Sequence, residues 1–248
     1  TAAIGNQSAH ALTIGDDNMA IGYGAMGTLS TTDGSDKNMA IGNYAMDGVS
    51  TLAASNNVFI GYDSGGGGWT GTASSNNVAV GNKTMDAAMN AADNNTAVGY
   101  AALGGLTSGA TNVAVGKSAL LACTTGTKNT AVGAEALQNA NGDESYNVAV
   151  GYRALNTCDN GHYNTAIGYQ ADVDTATDSY QVRLGYYGAL RYMTAQLNMS
   201  GDAQGSFTNA GTDNRPATGA LLKIPQYGFL KRVTCTVVTA SGGTGIYN

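Results

Sequence analysis

The chain has 248 residues, of which 36 are glycine and only two proline, with 11% charged residues and a formal net charge of -6. Such a composition is poor material for helices and ordinary for a tightly coiled β structure. With only 11 Lys plus Arg, phosphate neutralisation by a basic surface is excluded as a way of binding nucleic acid. No run of about 18 apolar residues offers a transmembrane span.

Read from the first residue, a short motif of the form Asn-x-Ala-Ile/Val-Gly returns every 17 to 20 residues. Its glycine stands at Gly22, Gly42, Gly61, Gly81, Gly99, Gly116, Gly133, Gly151 and Gly168, with degenerate copies at Gly5 and Gly185. A period of this size means one supersecondary unit stacked on itself, so that each core exists only between neighbours. The expected fold is all-β: a parallel β-roll or β-solenoid of about 11 coils over residues 1–185. A smaller non-repetitive β-rich module over 186–248 follows it.

Within each copy the residues one and three before the glycine share a strand face, because side chains alternate with period two. One before it stand Ile41, Ile60, Val80, Val98, Val115, Val132, Val150 and Ile167, β-branched residues that suit a pleated surface. We expect these to form the core of the coils. The column between them, Ala79, Ala97, Ala114, Ala131, Ala149 and Ala166 with Phe59 in one copy, points the other way and is also apolar. An outer face without polar residues is expected to be covered by a symmetry copy of the same rod. The alternative is that alanine merely avoids crowding on an exposed strand.

Four residues before the glycine, Asn38, Asn57, Asn77, Asn95, Asn112, Asn129, Asn147 and Asn164 recur without exception. Asparagine bonds nearby backbone and tolerates turn conformations, and stacked coils would let its amides form a ladder along the rod. After the glycine, Met26, Met46, Leu103, Leu120, Leu137 and Leu155 read as plugs on the return side. All variation in repeat length falls between plug and next Asn, as in Thr28–Lys37, Gly65–Asn76 and Asn139–Tyr146. Loops therefore collect on one edge.

Beyond Gly185 the repeat stops. Met193, Ala195, Leu197 and Met199 alternate with polar residues, as do Val233, Cys235 and Val237, so each run reads as a strand. The stretch between them, with Arg215-Pro216 and Ile224-Pro225, reads as turns or edge strand. Residue 1 lies inside a repeat copy and Gly242–Asn248 reads as a loop cut short, so the chain is expected to be an ordered part of something longer, or a processed product.

The motif run NNVAVGNKTM, NNTAVGYAAL, TNVAVGKSAL, KNTAVGAEAL, YNVAVGYRAL and YNTAIGYQA resembles two groups of proteins. One is the head of trimeric autotransporter adhesins, a parallel β-roll of shorter Asn-Ser-x-Ala-Ile-Gly coils. The other is the tail and virion fibres of bacteriophages, where the Asn-Thr-Ala-Val-Gly-Tyr-Gln-Ala form is frequent. The resemblance covers roughly residues 1–185 and implies a homotrimer that binds a host surface glycan or protein, with no cofactor and no catalysis. An adhesin head would pass into a heptad stalk, and no heptads follow here, so the fibre reading leads. It implies other virion proteins as partners, assembly in the host cytoplasm and a final place on the virion. An adhesin head or other extracellular surface fibre stands as the alternative, with a glycan-cleaving tailspike behind it.

Chemical sites are sparse. His10 and His162 lie at opposite ends of the rod, and the glutamates Glu135 and Glu144 are not a visible catalytic pair. Cys158 stands four residues from His162 in a loop rich in Asp and Gly, which reads as accidental proximity. Cys123 and Cys158 occupy one column two coils apart, about 9.5 Å at the strand spacing, too far for a disulfide. Zinc-ligand spacing is absent. Loops such as Asp33–Asp36 carry oxygen ligands that suit calcium, though solvated turns are their default. Two surface features suit receptor contact: the tyrosines one residue after the glycine, Tyr62 and Tyr100 with Tyr23, Tyr152, Tyr169 and Tyr186, and Trp69 after four glycines. The competing readings are stacking along the sheet edge for the tyrosines, and folding back over a thinned coil for Trp69.

Overall fold

The structure, a computed structural model, describes residues 1–12, 15–28, 35–48 and 53–185, together with four strands further on. Eleven strands of three residues each follow one another: β1 (Ala2–Ile4), β2 (Met19–Ile21), β3 (Met39–Ile41), β4 (Val58–Ile60), β5 (Val78–Val80) and β6 (Thr96–Val98). They continue as β7 (Val113–Val115), β8 (Thr130–Val132), β9 (Val148–Val150), β10 (Thr165–Ile167) and β11 (Val182–Leu184). Each pairs in parallel with the next, in chain order, so they form one sheet. The register is fixed column on column: Ala97 meets Ala114, and Ala114 meets Ala131. Ten steps of about 4.8 Å give a β-solenoid roughly 48 Å long.

The rest of each coil is turns, and their backbone is unusual. Non-glycine residues adopt positive φ at three fixed points per coil: before the Asn, two after the anchor glycine, and at the plug. Lys128 (φ 58), Glu135 (φ 59) and Leu137 (φ 49) illustrate one coil. An L-residue in this region costs on the order of 1 kcal/mol. Stacking offsets it, because each of these residues donates its N–H to the adjoining coil: Lys128 to the Ala110 carbonyl, Glu135 to Lys117, Leu137 to Ala154. The anchor glycine needs both its φ and its lack of a side chain. At Gly116 (φ +134) an added Cβ would lie 2.5 Å from the carbonyl of Gly133.

The interior is filled from two sides. From the strand come Ala79, Ala97, Ala114, Ala131, Ala149 and Ala166, and from the return side Met26, Met46, Leu103, Leu120, Leu137 and Leu155, all fully buried. This inverts the expected faces. Ile41, Ile60, Val80, Val98, Val115, Val132, Val150 and Ile167 point outward, half-buried or exposed, whereas the alanines assigned to a subunit interface are the core. A coil closed within 17 to 20 residues leaves room for only a methyl opposite a leucine, so the bulky β-branched residues take the outside. The fourth coil shows the same limit from the other direction. Phe59 replaces the alanine, Gly65 replaces the plug, and a Cβ on Gly65 would meet the Phe59 ring at 2.6 Å.

The asparagines form the expected ladder. In the central copies each Asn takes its backbone N–H and side-chain amide to the Oδ1 of the previous Asn, as Asn112 does to Asn95 at 2.9 and 3.1 Å. The same amide reaches across to a carbonyl of the following coil, Gly126 at 2.8 Å for Asn112. At Asn147 and Asn164 the backbone bond and the reach across persist. A second ladder, not foreseen, runs two residues earlier: Ser55 N–H donates to Ser75 Oγ, Ser75 to Asp93 Oδ1, and Ser145 to His162 Nδ1. The apolar column ends in charge. In the last coils Asp172 stands at the plug position in sequence but is only half-buried, with Val173 beside it in the core, and Arg183, buried in the alanine column, pairs with Asp174.

Past the solenoid, β12 (Ala203–Phe207), β13 (Thr218–Ile224), β14 (Val233–Val238) and β15 (Thr244–Tyr247) form an antiparallel sheet in that order. The Val233–Val237 strand is found. The segment expected as turns or edge strand contains β13, which lies between β12 and β14 and is therefore interior. Its prolines flank it, where no ladder N–H is needed. The Met193–Met199 strand, Tyr186 and the start of the Asp33–Asp36 loop lie outside the described residues.

Candidate functional site

The solenoid presents three kinds of surface: the outer sheet face, the corners beside it, and the loop edge. On the sheet face, the residues one and three before each anchor project from a backbone fully used in pairing. Val78, Val98, Val113 and Val132 are each 37% exposed and Ile167 45%. Two files thus run the length of the rod, about 7 Å apart: one is aliphatic throughout, and the other is Met or Val interrupted by Thr96, Thr130 and Thr165. Their footprint of roughly 500 Å² is at the upper end of what monomers leave exposed.

Tyrosines border this face at both corners. After the anchor glycine, Tyr62, Tyr100 and Tyr169 are exposed, and Tyr44 bridges Tyr23 and Tyr62 edge-on at 5.4 and 6.0 Å. Before Asn147, Asn164 and Gln181, the rings of Tyr146, Tyr163 and Tyr180 stack face to face at 4.7 and 4.9 Å. Lys128 caps this stack, 4.8 Å from the Tyr146 ring centre and bonded to its hydroxyl. The stack was missed from sequence, although its signal is plain in hindsight: Tyr directly precedes Asn147, Asn164 and, in the degenerate last copy, Gln181. Of the proposed receptor contacts, Tyr62 and Tyr100 are exposed. Trp69 is not: it is 3% exposed, packs edge-on against Phe59 at 5.7 Å and donates Nε1–H to the Gly65 carbonyl. The four glycines thin the coil, the Phe59 ring fills the space a plug would occupy, and the indole packs against that ring.

The ionisable groups are occupied structurally. Glu144 is fully buried and accepts the N–H groups of Gly142 and Asn160, while Glu135 is held by Arg153 below the usual carboxylate range. Cys123 and Cys158 are free and buried, and desolvation pushes their thiols up to about 12 and about 11. Cys158 bonds Gly161 and Asn164 rather than His162, whose Nδ1 is taken by Ser145. Cys235 lies in β14. Among the described residues no three His, Cys, Asp or Glu side chains group to hold a metal, and no helix is long and apolar enough to cross a membrane.

A depression of about 450 Å³ lies between the turns that follow β9 and β10. Arg153, Asn156, Thr157, Gln170, Asp172 and Asp174 line it. Burial raises the Asp172 carboxyl above its ordinary value, while N–H bonds from Thr157 and Val173 work in the opposite direction. No family model, curated protein or solved structure matches this chain.

Proposed function

We propose that this chain forms part of a homotrimeric fibre of a bacteriophage virion, which projects from the particle and attaches it to the host surface. The observation that carries this reading is the outer sheet face. One aliphatic file and a second, Val-rich file interrupted by Thr96, Thr130 and Thr165 run along the coils of a rod, bordered in places by tyrosine, the residue type enriched at interfaces. With the Tyr146, Tyr163 and Tyr180 stack added at one corner, the face approaches the roughly 800 Å² per partner of a stable interface, while Tyr62, Tyr100 and Tyr169 at the other corner stay accessible. Three such faces around a three-fold axis cover one another and leave the loop edges outward for a receptor. This places the subunit contact on the β-branched columns and removes it from the alanines. The motif resemblance supports the same assembly, and an antiparallel sheet after the rod favours a fibre over an adhesin head that continues as a coiled stalk.

The role is mechanical and recognitive, without catalysis. Both glutamates are engaged in braces, one with Arg153 and one with backbone N–H groups, which leaves neither available for acid–base work on a glycan. The partners would be two further copies, other virion proteins at the base and a surface glycan or protein at the host. Assembly would occur in the host cytoplasm, before display on the virion. A density map of the assembled particle tests the reading. It should show the rod in three-fold arrangement on a tail or capsid; filaments of unlimited length, or a particle without the rod, would sink it.

A further inference from the structure

We propose that the depression beside the last two coils is a binding site for a neutral saccharide. Six of its seven lining residues carry polar groups, and together they present polar and apolar surface in similar measure. A purely apolar ligand would strand the polar groups without water. Arg153 Nε is paired with Glu135 and Asp174 with Arg183, while Asp172 adds a further carboxylate to the lining, so an anionic ligand gains little there. What remains is hydrogen-bonding capacity without a partner. The Gln170 side-chain amide and the two terminal amino groups of Arg153 bond nothing among the described residues, and they face the same space as the carboxylates of Asp172 and Asp174. Adjacent donors and acceptors of this kind suit vicinal hydroxyls, each of which both gives and takes a hydrogen bond.

The rim supplies the complementary apolar contact. Tyr152 and Tyr169, each preceding a lining residue, stack at 5.6 Å and 20°, and Tyr169 is 55% exposed. The Arg153 guanidinium sits 5.3 Å from the Tyr152 ring centre. An amphipathic ring beside polar groups matches a sugar, with C–H bonds on one face and hydroxyls around its edge. The volume lies in the range of about 300–1,000 Å³ of small-ligand sites. The site would supply the host partner for the fibre proposed above, but it stands on the depression alone.

Saturation-transfer NMR on the full chain, with the methyl glycosides of glucose, galactose, mannose and N-acetylglucosamine as probes, tests it. At least one should receive saturation, and Arg153→Ala with Gln170→Ala should weaken its binding at least tenfold. Both positions lie two residues after an anchor, where Ala101 already occupies the same positive-φ column (φ 54), so the coils should persist by circular dichroism. If they do not, Gln170→Ala alone is read. Lys83→Ala, in the same column far along the rod, should change nothing. Transfer to none of the four sugars, equal binding by the variant, or equal loss in Lys83→Ala overturns the site. Sugar binding by a chain that proves monomeric would retain the site and remove the trimer, so the two proposals fail separately.

Discussion

Asn112 shows how much one side chain does in this molecule. Its Oδ1 takes two hydrogen bonds from Asn129, and its amide joins Asn95 to the Gly126 carbonyl of the coil beyond. Asn112→Ala leaves buried backbone and amide groups unpaired on both sides, and we expect a loss of about 2–4 kcal/mol in urea unfolding. Gly116→Ala should be at least as damaging, since the added carbon meets the Gly133 carbonyl at a φ that alanine resists. Gly68→Ala has nothing within 4 Å and should stay within about 0.5 kcal/mol of the parent. Equal melting of the two glycine variants would refute the stacking account. The buried thiols give a chemical check. With Cys123 and Cys158 raised to about 12 and about 11, almost no thiolate exists at pH 8, so thiol reagents should label either only after unfolding.

The coil is the next unit, and the fourth one tests how its interior is filled. Phe59→Ala should cost about 3–5 kcal/mol, because Gly65 leaves the opposite side empty. Adding Gly65→Leu restores the alanine–leucine pairing of the other coils, at a φ of +66 close to that of Leu103 (φ 51), and should recover most of the loss. Trp69 reports on the same place: native emission should be blue-shifted and poorly quenched by acrylamide, and an exposed-indole spectrum would contradict its burial. Much of this element was legible in the sequence. The eleven anchors place every solenoid strand, and the invariant asparagines predict the ladder. The direction of the faces was not legible, because alternation separates two sides of a strand without saying which is inside. The width of the coil decides that, and only Phe59 opposite Gly65 carries it in the sequence. Positive φ at Leu137 or Glu135 was equally hidden, since neither residue type signals it. Of the candidate sites, Tyr62 and Tyr100 were placed at the surface correctly, whereas the depression joins residues of two coils and has no linear motif.

For the whole rod, the two faces of the strand now predict opposite outcomes. Val113→Lys with Val132→Lys places charge on the outer files and should abolish the proposed trimer in light scattering while circular dichroism stays unchanged. Ala114→Arg puts a charge in the closed interior and should unfold neighbouring coils, because an unpaired buried charge costs several kcal/mol. Reversal of these two results would return the contact to the alanines. The orientation of the hydrogen bonds carries a further consequence. Strand bonds, both side-chain ladders and the N–H groups of the positive-φ turns all join one coil to the next. Tension along the rod therefore loads every bond of a junction together, whereas successive junctions bear the same force one after another. Such a rod resists pulling until its weakest junction opens and then parts there, as a chain does at one link, with the coils on either side left wound.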